Sequence, residues 1–206
     1  MLCRFSSKGF TGLVSLALGL FWLLSASVQA QDLSTQQVEA YIALMPEVKT
    51  FANQIDPALG QRLRTELQPV AGEAFRPHAR GLTILQQQQP GQFGQLDQLA
   101  RGGRFVDAQS WAWVGDRVLI GYAALKAEAA YPQILELARS MQTMDPALQA
   151  MMPPQFQARV SQIGVMAQEV SKVSEADKQV LRPFLGQLDT HWKNEWQAYQ
   201  SSTTAR

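Results

Sequence analysis

The sequence predicts an all-α fold: a single soluble domain of seven or eight amphipathic helices. Three observations carry that expectation. Apolar residues recur at three- and four-residue spacing along most of the chain. Helix starts are written in one repeated grammar, Asp-Pro at 56–57 and 145–146, and Ser-x-x-Gln or Ser-x-x-Asp at 34–37 and 174–177. The connections between periodic stretches are short, as in helical domains with antiparallel neighbours.

Residues 1–30 stand apart from this pattern. Arg4 and Lys8 form a basic start, Phe10 to Leu24 an apolar core, and Val28-Gln29-Ala30 a small-residue ending before polar Gln31. That order predicts a secretory signal peptide cleaved between Ala30 and Gln31. Ser25, Ser27 and the A-x-A-like ending favour cleavage over an uncleaved anchor, so no stable membrane span is expected after cleavage. The expected compartment is the bacterial periplasm.

The chain left after cleavage has 176 residues, 16 basic and 17 acidic. Its net charge near zero gives no reason to expect nucleic acid as a partner. The lone cysteine, Cys3, departs with the signal, so the exported chain is disulfide-free and must be held by packing. A domain of this size can do that, burying about 70% of its unfolded surface. Glutamine is abundant, 25 of the 176 residues, and supplies an uncharged helix-forming surface.

Taken in order, Ser34 and Gln37 predict a capping box, with Val38, Tyr41, Ile42, Met45, Val48 and Ala52 facing inward and Pro46 kinking or breaking the helix. Asp56-Pro57 starts a second helix with Leu59, Leu63, Leu67 and Val70 as its stripe. Between Ala71 and Phe105 glycines and prolines are dense, and two short helices are expected around 77–89 and 92–101, the second ended by Gly102-Gly103. Further helices are expected after Pro132, after Asp145-Pro146, and after Pro153-Pro154, the last with Phe156, Val160, Ile163, Met166 or Ala167, Val170 and Val173 inward. The final helix carries Val180, Phe184, Leu188, Trp192, Trp196 and Tyr199, with Pro183 kinking or delimiting it. Residues 201–206 are expected to fray.

Ser110 to Tyr122, "SWAWVGDRVLIGY", admits two readings. Gly115-Asp116 could turn a β-hairpin between Trp111–Val114 and Arg117–Ile120. A helix capped by Asp107 explains more residues, because Trp111, Val114, Val118, Tyr122, Leu125 and Ala129 continue one face past the hairpin. The helix is preferred despite the ~1 kcal/mol that Gly115 costs there. In that reading Trp111 and Val114 are core, Trp113 lies at a boundary, and Asp116 and Arg117 are exposed.

Little in the sequence points to catalysis or metal. After the signal there are two histidines and no cysteine; His191 and Glu195 share a helix face, but two ligands do not make a zinc site. No nucleophile elbow, catalytic cysteine or phosphate-cradling glycine loop is present. No cofactor is expected, and no feature argues for an enzyme. The most polarised stretch runs from Arg62 to Arg104. Within it Arg76, His78, Arg80, Arg101 and Arg104 are the candidate ligand-binding residues, since guanidinium forks suit carboxylate or phosphate. Pairing of these arginines with Glu66 or Glu73 is the plainer reading.

Leu82-Thr83-Ile84-Leu85-Gln86 resembles the Leu-Thr-x-x-Gln motif of small helical periplasmic stress chaperones, and Leu33-Ser34-Thr35-Gln36-Gln37 is a near match with Ser for Thr. The resemblance spans ten residues; that family is shorter and more charged, and the chain is not assigned to it. Two function classes follow. One is an exported interaction module, an envelope adaptor or chaperone-like binder with a protein partner, using an apolar surface near Met141, Met144, Met151 and Met152. The other is a binder of a small anionic ligand, or an enzyme without a familiar motif, using the arginine-rich segment 62–104 around His78.

Overall fold

The computed structural model describes residues 32–130, 140 and 151–193. The Ala30–Gln31 junction, the helices expected after Pro132 and Asp145, Met141, Met144, Trp196, Tyr199 and the tail lie outside the described residues. Among the described residues every regular element is helical and none is a strand.

Helix α1 (Thr35–Ala52) begins at the expected capping box. The Ser34 hydroxyl accepts the Gln37 N–H at 3.2 Å, and Gln37 Oε1 accepts the Ser34 N–H at 2.9 Å. Contrary to a break at Pro46, the helix runs through it. Proline removes one backbone hydrogen bond, and the burial of Leu44, Met45 and Phe51 on both sides of it keeps the segment helical. Helix α2 (Pro57–Glu66) is capped by Asp56, whose Oδ1 accepts the N–H groups of Ala58 (2.8 Å) and Leu59 (3.1 Å). Only Leu59 of α2 is fully buried, and Val70, expected on its stripe, lies past its end and is exposed.

Helices α3 (Pro77–Gln88) and α4 (Pro90–Gly102) fill the glycine-rich segment, separated by Gln89 alone. Helix α4 closes in a Schellman turn: the Arg104 N–H donates to Arg101 O at 3.2 Å and the Phe105 N–H to Ala100 O at 3.0 Å. The left-handed position of that turn is Arg104, at φ 73°, and not one of the two glycines before it. Phe105, next in the chain, is buried and anchors the turn.

Helix α5 (Ala108–Ala130) contains the whole of Ser110–Tyr122, so the hairpin reading is set aside. Asp107 and Ser110 cap it reciprocally: Asp107 Oδ1 accepts the Ser110 N–H at 2.7 Å, and Ser110 Oγ accepts the Asp107 N–H at 3.1 Å. The helix packs against α1, α3 and α4, and also against α6 (Pro154–Ser171) and α7 (Glu175–Leu181). Trp111, Val114, Val118 and Leu125 are buried, as their spacing predicts. Asp116 and Arg117 correct the expectation: Asp116 is 6% exposed and the Arg117 side chain is largely covered. A helix packed on so many sides has no continuous solvent face at its middle.

Two glycines set how closely α5 is approached. A Cβ on Gly115 would lie 2.7 Å from the His78 ring and 2.9 Å from Tyr41, and one on Gly121 would lie 2.3 Å from a Leu181 methyl. The chain continues through a 3-10 turn (Arg182–Phe184), delimited as expected by Pro183, into α8 (residues 185–193). Leu181, Phe184 and Leu188 are buried.

Helix α6 departs from its expected register. Val165 is its buried residue, whereas Phe156 and Ile163 are 54% and 43% exposed. Among the described elements α6 packs chiefly on α5. No described helix is long and apolar enough to cross a membrane.

A left-handed conformation costs a side-chain-bearing residue about 1–2 kcal/mol. Arg104→Gly is therefore expected to stabilise the protein by about 1 kcal/mol, read as a higher urea midpoint with an unchanged m-value. A lower midpoint would mean that the Arg104 side chain makes a compensating contact.

Candidate functional site

The start of α3 lacks a cap of its own. Its N-cap residue is Arg76, which has no side-chain oxygen to accept the first amides. The acceptor comes from α5 instead: Asp116 Oδ1 accepts the His78 N–H at 2.7 Å, and Oδ2 accepts the Ala79 N–H at 3.2 Å. The same Oδ1 lies 3.0 Å from His78 Nδ1. A carboxylate accepts, so Nδ1 carries the proton; Nε2 of that tautomer accepts from the Tyr41 hydroxyl at 2.9 Å. Tyr41, His78 and Asp116 thus form a chain from α1 through α3 to α5. Burial, with Asp116 adding to it, pushes the Tyr41 phenol far above its ordinary pKa.

Three rings are organised by this chain. Tyr41 stacks with Trp111 at 6.2 Å between centroids, and the His78 ring stands edge-on to both, 5.8 Å from Tyr41 and 5.4 Å from Trp111. They line a cleft of about 430 Å³, whose other walls are Met45, Val48, Ala52, Trp192 and His191, with Lys49 and Asn53 at its rim. None of the described lining residues is a carboxylate.

Two further networks flank α5. Asp177, buried, accepts the Leu33 N–H at 3.0 Å on Oδ1 and Arg117 Nε at 2.9 Å on Oδ2. Arg117 lies over the Trp113 ring, 4.6 Å from its centroid. The sequence placed Asp177 in a capping box; Ser174 does accept the Asp177 N–H, but the Asp177 carboxylate is engaged by Arg117 and Leu33. On the next turns of α5, Tyr122 donates to Asp189 at 2.5 Å, and Lys126 pairs with the same carboxylate at 3.1 Å. Burial, and then the hydrogen bond to Asp189, push the Tyr122 phenol up to about 12. The hydrogen bonds from Tyr122 and Lys126 hold the Asp189 carboxyl below its usual range.

Of the five residues proposed from the sequence, only His78 lines the cleft. Arg80 is engaged by Glu66 O (3.1 Å), Gln68 O (3.2 Å) and Glu73 Oε2 (2.7 Å), where it ties the segment before α3 to the end of α2. Arg101 pairs with Asp97 at 2.8 Å. Arg76 and Arg104 are exposed, at the start of α3 and in the turn after α4. The structure does not gather the arginines around one ligand position.

Sequence reasoning missed Tyr41, Asp116 and Trp192. One signal was available: Pro77 marks a helix start with no capping residue before it, so an acceptor had to come from elsewhere. Asp97 does the same for α5, accepting the Ala108 N–H at 2.8 Å. No group of three or more His, Cys, Asp or Glu among the described residues could hold a metal ion. Chemically, the Tyr41–His78–Asp116 chain has the connectivity of a nucleophile, base and orienting carboxylate. It ties α1, α3 and α5 together through side-chain hydrogen bonds. Compared with family models, curated proteins and solved structures, the chain matches none.

Asp116→Ala leaves three donors without an acceptor, two of them backbone amides. The expected cost is about 3 kcal/mol, from the lost cap and the unsatisfied buried groups, measured by urea unfolding. Gly115→Ala should be destabilising by about 1–2 kcal/mol although alanine is the better helix former, because the added methyl meets two rings. Tyr122 makes a sign-specific contribution. Its folded pKa, about 12, lies above the ordinary value of about 10. The stability it adds is complete below about pH 10 and is lost as pH rises towards 12. Tyr122→Phe should therefore flatten the loss of stability between pH 10 and 12; an unchanged slope would remove Tyr122 as its source.

Proposed function

We propose that the protein is an exported helical interaction module of the bacterial periplasm, and that it holds a protein partner on the outer face of α6. One observation carries this reading: Phe156 and Ile163, seven residues and two turns apart, expose large apolar side chains on one helical face, with Met151, 81% exposed, just before the helix. Clustered exposed apolar side chains of this kind mark contact surfaces. Charge distribution supports it. From Pro154 to Ser171 the only charged residues are Arg159 and Glu169, and interface centres are depleted in charge. The arrangement of residues 1–30 supports export, and a chain without cysteine after Ala30 suits a compartment where thiols oxidise.

The test combines position and compartment. A photo-crosslinking residue at Phe156 should capture a defined protein in cells, and Phe156→Asp with Ile163→Asp should reduce capture by about tenfold or more while the far-ultraviolet spectrum stays helical. Capture that survives both aspartates places the contact elsewhere. Amino-terminal sequencing of the cellular protein should begin at Gln31; a chain that retains residues 1–30 would overturn the export reading.

A further inference from the structure

On the α1–α3–α5 side of the domain, independent of the ridge on α6, we propose that the cleft above Tyr41, His78 and Trp111 is a binding site for a small planar aromatic molecule of one or two rings, neutral or anionic. Its size is the first ground: about 430 Å³ lies within the range of small-molecule sites.

The second ground is the floor. Tyr41, Met45 and Trp111 are buried, and Trp192 forms a wall, packed 4.3 Å from the Tyr122 ring. A flat ring presented to such a surface gains offset or edge-to-face contact on several sides. The floor is also preformed. Asp116 fixes the backbone and ring of His78, His78 fixes the Tyr41 hydroxyl, and Gly115 lets both rings sit against α5. A ligand therefore pays little to organise its site.

The third ground concerns charge. Aromatic walls alone would also suit a cation, but among the described residues the lining contains Lys49 and two imidazoles and no carboxylate. Lys49 has an interaction of its own, so the site does not depend on it as an anion ligand; its charge at the rim disfavours cations. Ala52, in the cleft wall, is exposed and lies at the end of α1, so it can be enlarged without touching the core.

The experiment titrates the full exported chain, residues 31–206, with indole and with benzoate, following the Trp111 and Trp192 indole N–H signals by nuclear magnetic resonance. Benzyltrimethylammonium and a short tryptophan-containing peptide serve as counter-probes. The expected result is saturable shifts of both signals with indole or benzoate. Ala52→Trp, which places a ring in the mouth of the cleft, should weaken that binding at least about tenfold, a loss of about 1.4 kcal/mol, with the fold intact by the dispersion of the spectrum. Phe156→Asp with Ile163→Asp should leave it unchanged. Absence of saturable shifts, binding unaffected by Ala52→Trp, tighter binding of the ammonium probe, or binding of the peptide alone would each overturn the proposal.

Discussion

A charged carboxylate at the middle of α5 is the constraint around which the other helices are arranged. Asp116 is nearly out of contact with water, and an unpaired buried charge would cost several kcal/mol. It is tolerated because α3 presents two backbone amides and one imidazole nitrogen to it. Those groups are themselves unsatisfied without it, since Arg76 offers α3 no cap. The dependence is mutual, so α3 and α5 are stable in one register against each other. Gly115 completes the requirement, because any side chain there would push the His78 ring away from the carboxylate one residue on.

The same device recurs around α5 with different partners. Asp97 on α4 accepts an amide from the start of α5, and Asp177 on α7 accepts the amide of Leu33 before α1 while pairing with Arg117 on α5. Each carboxylate joins two elements through a backbone donor that would otherwise be orphaned. Apolar packing supplies most of the stabilisation but tolerates more than one arrangement. Hydrogen bonds between a buried carboxylate and particular amides do not, and a chain with no cysteine after residue 30 has no covalent staple to choose among packings.

This explains which features could be read from the sequence. Helix starts were legible wherever the cap is local, at Ser34, Asp56 and Ser174, and so was the long face of Trp111, Val114, Val118 and Leu125 on α5. The cleft was not legible beyond His78, because its floor joins residues 41, 78 and 111 through a carboxylate that periodicity assigned to solvent. Asp116 and Arg117 were misplaced for a physical reason: amphipathic spacing assumes that a helix keeps one wet face, and α5 is enclosed on several. Phe156 and Ile163 failed in the opposite sense. Spacing can show that a stripe is apolar, but it cannot show whether the chain itself supplies enough surface to cover it.

Enclosure of α5 and exposure of α6 are two consequences of one distribution of partners. Described neighbours crowd α5 on several sides, and every polar side chain at its middle must then find an intramolecular mate: Asp116 with His78, Arg117 with Asp177, Tyr122 with Asp189. These mates rigidify the centre of the domain. Among the described elements helix α6 packs chiefly on α5, and Phe156 and Ile163 stay exposed on a nearly uncharged helix. A rigid centre with an apolar outer helix can present a contact face without rearranging, so little of the binding energy is lost to ordering the protein. It also separates the two surfaces physically: a substitution on the α6 ridge removes no hydrogen bond from the Asp116 network, and one at the cleft mouth removes no apolar side chain from the ridge.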